Sequence, residues 1–148
     1  MKRCNLTLNI FLLMLVSIFG ALLFGCSKDE KINWKSSATF IKDNIELYGT
    51  KGKFGMIKVN GKVDEPEFPV NQGRLYDIYF LDDSIEVNGK KFKIMGIHED
   101  MKDSLQLYEW GIDNNKSGAK ISLDKVGLWK LTVTVDEKFL TSFVINAE

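Results

Sequence analysis

From Ala38 onward, apolar and polar residues alternate with a period of two, and the runs are short and separated by turn residues. That period puts successive side chains on opposite faces of a β-strand. "RLYDIYFL" (Arg74 to Leu81) and "SLQLYEW" (Ser104 to Trp110) are two such runs; in the second, Leu105, Leu107 and Glu109 alternate with Gln106, Tyr108 and Trp110. "KFGMIKVNGK" (Lys53 to Lys62) and "SIEVNGKKFKIMGI" (Ser84 to Ile97) each carry Asn-Gly between β-branched or aromatic residues. Asn-Gly supplies the positive φ angles of a type I′ turn, so a hairpin is expected at each. Pro66 and Pro69 belong in a connection or an edge, where a missing N–H does no harm. No amphipathic helix is evident. About eight strands spaced by turns predict an all-β, antiparallel β-sandwich or barrel.

The last run, "LWKLTVTVDEKFLTSFVIN" (Leu128 to Asn146), permits a test of register. A two-residue loop, Asp136-Glu137, would pair Val133 with Leu140. A three-residue loop, Asp136 to Lys138, pairs Val133 with Thr141 and Leu131 with Phe143. The second choice gathers Trp129, Leu131, Val135, Phe139, Phe143 and Ile145 on one face, and is therefore expected.

The first 25 residues follow another pattern. Lys2 and Arg3 precede a charge-free run from Leu6 to Gly25. This is the layout of an export signal. "LFGC" (Leu23 to Cys26) is similar to the lipobox of bacterial lipoproteins, with a small residue before the cut and a thiol placed for diacylglycerol transfer. The alternative is a retained signal anchor, since twenty residues at about 1.5 Å each just span the hydrocarbon core. The position of Cys26 favours lipidation, and both readings put everything after Cys26 outside the membrane. Three segments follow: a signal peptide (1–25), a lipidated cysteine with a polar tether (26–37) and a β-sandwich domain (38–148). Trp34 interrupts the tether and is expected to mark where it docks. The expected localisation is the cell membrane, lipid-anchored, on the extracytoplasmic side.

Composition narrows the partners. The 148 residues are 45% hydrophobic, ordinary for one globular domain. Without Lys2 and Arg3 the chain has 18 basic residues against 20 acidic. That balance offers no long-range pull on nucleic acid, so contact with the membrane is expected through the lipid anchor alone. Cys4 and Cys26 are the two cysteines, so the domain has no disulfide, which suits a Gram-positive surface.

The mature part resembles a family of small Bacillus-type lipoproteins known only as a domain of unknown function. Trp34, Phe40, "GKFG" (Gly52 to Gly55) and above all "GLWKLTVTVDEKF" (Gly127 to Phe139) carry the resemblance. It implies an immunoglobulin-like sandwich and a lipid anchor, and no established activity.

Catalytic groups are sparse. His98 is the single histidine, so any Ser-His-Asp arrangement would need it, and several imidazoles cannot share a metal. It is expected to be a solvated or hydrogen-bonded surface residue. "DNNKSG" (Asp113 to Gly118) with Asp124 matches the oxygen spacing of a calcium loop, but position 8 is Lys120 and no helices flank it. The plainer expectation is a polar turn, with no metal and no cofactor. The pairs Asp82-Asp83 and Glu99-Asp100 point to opposite faces if on strands and are expected in turns. What remains is an anchored, extracytoplasmic, non-catalytic binding or interaction module for a protein or small-molecule ligand, with Tyr76, Tyr79 and Tyr108 as aromatic contact candidates. The alternatives are a structural or accessory subunit of an envelope complex and, third, a hydrolase-like enzyme.

Overall fold

The computed structural model describes residues 31–148. The signal peptide (1–25) and Cys26 lie outside the described residues. Nine strands follow in order: β1 (Phe40–Lys42), β2 (Ile45–Thr50), β3 (Phe54–Lys58), β4 (Arg74–Phe80), β5 (Lys91–His98), β6 (Leu105–Gly111), β7 (Lys116–Ile121), β8 (Gly127–Val135) and β9 (Lys138–Ala147). They form two antiparallel sheets, β1-β2-β3-β4-β7 and β6-β5-β8-β9, and no described residue is helical. The fold is an all-β sandwich.

Alternation decides what fills it. Phe54 and Met56 of β3, Ile78 and Phe80 of β4, Phe92 and Ile94 of β5, and Trp129, Leu131 and Val133 of β8 are all buried. Phe80 meets Phe92 of the opposite sheet at 5.4 Å between ring centroids, and Phe54 meets Phe143 at 5.8 Å. These contacts between rings tie the sheets together. At one edge the Thr50 and Thr141 hydroxyls hydrogen-bond at 2.7 Å, which satisfies the buried Thr141.

The β1–β2 hairpin joins this core only in part, through Tyr48, whose ring packs edge-on against Phe68. Leu47 is buried yet stands outside the main cluster. A Cβ placed on Gly55 would meet Leu47 Cδ1 at 2.7 Å and Phe40 Cζ at 3.2 Å. The hairpin therefore folds over the outer side of β3 and uses the bare glycine as its seat. Gly49 makes the bend: its φ is 145°, and a Cβ there would strike the Phe54 carbonyl oxygen. Just ahead of β1, the Ser37 N–H donates to the Val144 carbonyl and its Oγ accepts from the Val144 N–H. Trp34 is half-buried.

Neither Asn-Gly forms the hairpin expected of it. Asn60-Gly61 lies in the long Val59–Gly73 connection, where Asn60 Oδ1 accepts from the Leu75 N–H. Gly89 completes a turn closed by the Lys90 N–H and the Val87 carbonyl, ahead of β5 rather than between paired strands. The two-residue turns are Asp43-Asn44, Asn114-Asn115 and Asp136-Glu137, whose residues all have positive φ, and β2 and β3 are joined by the three-residue turn Lys51 to Lys53 with Gly52 at positive φ. Asp and Asn tolerate that conformation well enough to replace glycine.

The β8–β9 register is the expected one for Leu131↔Phe143 and Val133↔Thr141, with Trp129 opposite Ile145. The loop length is not. Asp136-Glu137 is a two-residue turn pairing Val135 with Lys138 and Thr134 with Phe139, and Leu140 is the extra residue of a bulge. The bulge satisfies both demands, a tight turn and an aliphatic face. As a result Leu140 is buried, while Phe139, expected in the core, stands 67% exposed beside Thr134. A second bulge lies on β6: Ile94 pairs with Tyr108 and Met95 with Gln106, so Leu107 is unpaired. Leu105, Leu107 and Tyr108 all pack on the core, which breaks the alternation read from the sequence.

Candidate functional site

On the second sheet, Phe92, Ile94, Gly96 and His98 of β5 face the core, so Lys91, Lys93, Met95 and Ile97 face outward. Cross-strand pairing carries that outward set across all four strands. Glu109 pairs with Lys93, Lys93 with Thr134 and Thr134 with Phe139, making one transverse row. A second row runs Gln106, Met95, Thr132 and Ser142. Directly opposed residues bring their Cβ atoms to about 5 Å, so each row is contiguous.

Lys93 is the centre of the first row. Its Nζ donates to Glu137 Oε1 at 2.8 Å and lies 3.6 Å from Glu109 Oε2. The Glu137 hydrogen bond raises its pKa above the usual lysine value, against a smaller effect of burial, so the ammonium stays charged. The β8–β9 turn holds Glu137 in place. The Asp136 N–H donates to the Lys91 carbonyl, and Asp136 Oδ1 accepts from the Lys91 N–H. A depression of about 290 Å³ results, lined by Lys91, Phe92, Lys93, Glu109, Thr134, Asp136 and Glu137. Lys91 and Glu109 also line an adjoining one of about 420 Å³ with Trp110 and Gly111. Phe139, exposed, ends the row on β9, whereas Trp110, 65% exposed at the β6 edge, pairs with the core-facing Phe92 and so belongs to the other face of the sheet.

The residues singled out in the sequence fall elsewhere. None of the three tyrosines is exposed. Tyr76 is buried against Phe68 and donates to the Glu67 carbonyl at 2.8 Å. Burial, with Glu67 and Glu65 adding to it, pushes its hydroxyl pKa up. Tyr79 lies under the Lys116 ammonium, and Tyr108 packs on the core near Phe92. The exposed aromatic side chains are therefore Trp110 and Phe139, on opposite faces of the sheet, and not the tyrosines. Trp110 was visible only as a member of a strand, and Phe139 was hidden by the bulge.

His98 is hydrogen-bonded as expected, but it is buried rather than at the surface. Its Nε2 bonds the Val126 carbonyl at 3.0 Å, and its Nδ1 accepts from the Asp100 N–H at 3.1 Å, which defines the neutral Nε2–H tautomer. Its ring packs edge-on against Trp129, whose Nε1 donates to the Lys125 carbonyl. With both nitrogens bonded to backbone, His98 has no free atom for a substrate, although the Asp100 carboxylate lies 3.8 Å from Nδ1. Glu99 accepts from the Leu128 N–H, and Asp82 accepts from Ser84, which lowers its pKa. These carboxylates brace turns.

Asp113 and Asp124 do not form a calcium cradle. Asp113 bridges to Lys116 across the Asn114-Asn115 turn, and Lys116–Ile121 is β7. A six-residue strand, about 20 Å long, therefore separates the two carboxylates. The polar-turn reading holds.

One charged cluster has no signature in the sequence. Lys58, Glu65 and Arg74 have side chains only 10%, 9% and 16% exposed. Arg74 donates to both Glu65 oxygens, at 2.6 and 2.7 Å, and Lys58 Nζ adds bonds to Glu65 Oε1 and the Pro66 carbonyl. The Arg74 hydrogen bond, with Lys58 adding to it, lowers the Glu65 pKa to about 2. Nine residues separate Glu65 from Arg74, and only the fold of the 59–73 connection unites them. Each charge is answered within the cluster, so it clamps that connection.

Fold and surface together define a small all-β sandwich with a polar outer face that ends in an exposed phenylalanine. The family described as a domain of unknown function, DUF4871, matches residues 23–145, and the chain belongs to it. No curated protein matches the chain. Among solved structures it is similar to an X-ray structure of a candidate lipoprotein from Bacillus anthracis, at 26% identity and a TM-score of 0.64, covering 80% of this chain and 88% of that one.

Proposed function

We propose that this protein is an extracytoplasmic module, anchored by a lipid on Cys26, that binds a partner on the outer face of the second sheet without catalysis. The Glu137–Lys93–Glu109 row, with Phe139 exposed at its β9 end, carries the reading. Glu137 supports it further. Its φ of 63° is a left-handed conformation that costs a non-glycine residue about 1 kcal/mol, and glycine would avoid that cost. A residue held there despite the strain is a sign of function. The sandwich is immunoglobulin-like on this reading: β4 pairs with β7 and β5 with β8, as strands B with E and C with F do in that fold. The bonded state of His98 supports a non-catalytic role.

Two measurements test this. Mass analysis of the membrane-fraction protein should give an N-terminal diacylglyceryl-Cys26, and Cys26→Ser should leave an unmodified chain. A photo-crosslinking residue at position 139 should capture a partner in intact cells, whereas one at Leu75, exposed on the other sheet, should not. Equal capture from both positions would overturn the assignment of the face.

A further inference from the structure

We infer that Asn60 is a site of spontaneous modification, converted to aspartate and isoaspartate through attack by the Gly61 nitrogen, and that the fold protects Asn88 from the same reaction. The two share one tetrapeptide, Val-Asn-Gly-Lys, at Val59 to Lys62 and at Val87 to Lys90. Glycine has no side chain, so its main-chain nitrogen is open to approach, and every other asparagine precedes a residue with a side chain. Both asparagines and both glycines are exposed. Each asparagine Oδ1 accepts a backbone N–H at 2.7 Å, Asn60 from Leu75 and Asn88 from Asn115. Both glycines have positive φ, 110° at Gly61 and 76° at Gly89. The sites part at the nucleophile. The Gly89 N–H donates to the Ile112 carbonyl at 2.9 Å, and the Ile112 N–H returns a bond to the Lys90 carbonyl. Among the described residues, the Gly61 N–H donates to no acceptor.

The reaction needs only water and hydroxide. Hydroxide takes the Gly61 amide proton, the nitrogen attacks Asn60 Cγ, and Oδ1 takes up the negative charge. The Leu75 N–H already aimed at Oδ1 stabilises that charge, as an oxyanion donor does. The Cγ–Nδ2 bond then breaks, ammonia leaves with a proton from water, and a five-membered imide remains. Water opens it at either carbonyl. Opening at Cγ gives aspartate; opening at the main-chain carbonyl gives isoaspartate, whose backbone runs through Cβ. At Gly89 the same attack must first break the bond to Ile112 and open the turn, so Asn88 should convert at least about tenfold more slowly. The product at position 60 bears on the Lys58–Glu65–Arg74 clamp. A Cβ on Gly61 would stand 1.8 Å from Glu65 Oε1 and 2.7 Å from Arg74 Nε, so this glycine is seated directly against the clamp. Isoaspartate lengthens the main chain at that seat and adds a negative charge one residue from it.

The test incubates the full chain at mildly alkaline pH, folded in detergent micelles and unfolded in guanidinium chloride, and maps its peptides by mass spectrometry. Conversion appears as the mass gain from amide to carboxylate, and fragmentation tells isoaspartate from aspartate. In the unfolded chain the two identical tetrapeptides should convert at the same rate. In the folded chain position 60 should convert at least about tenfold faster than position 88. A smaller ratio in the folded chain would overturn the inference, and so would a position 60 that converts only when unfolded. Asn60→Gln would have to close a six-membered ring and should halt conversion there. It should also hold the Tm that the stored wild type loses. Conversion at position 60 with no fall in Tm would overturn the link to the clamp.

Discussion

The bulge on β6 is what turns Glu109 outward into the row, and a glycine makes room for it. Gly96 of β5 faces the core, and a Cβ there would meet Leu107 Cδ1 at 2.7 Å, Leu107 Cγ at 3.1 Å and Trp129 Cε3 at 3.3 Å. Trp129 cannot move aside, being buried with its Nε1–H bonded to Lys125. In Gly96→Ala the Leu107 side chain must therefore leave its place. Overpacking of this kind costs about 1–3 kcal/mol. Alanine in a strand recovers about 0.5–1 kcal/mol of backbone entropy, so the net loss is about 1–2 kcal/mol. Leu107→Ala removes a half-buried side chain and should cost about 1–2 kcal/mol, below the range for full burial. In the double variant the new methyl group occupies the space that the leucine vacates. The loss should then be no more than about 2 kcal/mol, giving a favourable coupling of about 1–2 kcal/mol. Urea unfolding of the four proteins measures the cycle directly. In thermal melts each kcal/mol should appear as about 3–5 °C for a domain of this size. Additivity within about 0.5 kcal/mol would refute the reasoning, because Leu107 would then not be what fills the space beside Gly96.

Three further outcomes follow from the same geometry. Glu137→Gly removes a left-handed strain of about 1 kcal/mol and loses only an exposed ion pair, so its Tm should equal or exceed that of the wild type; a clear fall would show that the turn is not strained. Glu65 titrates near 2 rather than its ordinary 4.5, so its contribution to stability is complete above pH 4.5 and is lost as pH falls through about 2. Denaturation from pH 6 to 2 should show a shallower acid limb in Glu65→Gln, and parallel limbs would exclude the clamp. His98→Phe strands the Val126 carbonyl and the Asp100 N–H in a buried setting, and should cost about 2–4 kcal/mol by urea unfolding. A neutral effect there would mean that those backbone groups find other partners.

The sequence by itself determined the layers, and it carries the local signals from which the proposed address is read. A charged start, an apolar run and a cysteine in one place are local signals, legible without a fold. So was the alternation of Trp129, Leu131 and Val133, because side-chain direction in a strand depends only on parity. The tertiary structure decided everything that depends on which residue lies opposite which. Asn60-Gly61 and Asn88-Gly89 favour positive φ but cannot choose the strand that pairs beyond them, and Asp-Asn, Asn-Asn and Asp-Glu turns took that role. One extra residue at Leu140 and one at Leu107 reversed the parity that the sequence implied, exposing Phe139 and turning Tyr108 inward. The Glu109–Lys93–Thr134–Phe139 row draws on four strands that lie between positions 93 and 139 of the chain. No spacing rule joins them. They meet because register is a property of strand pairs, and burying one face of the sheet selects that register.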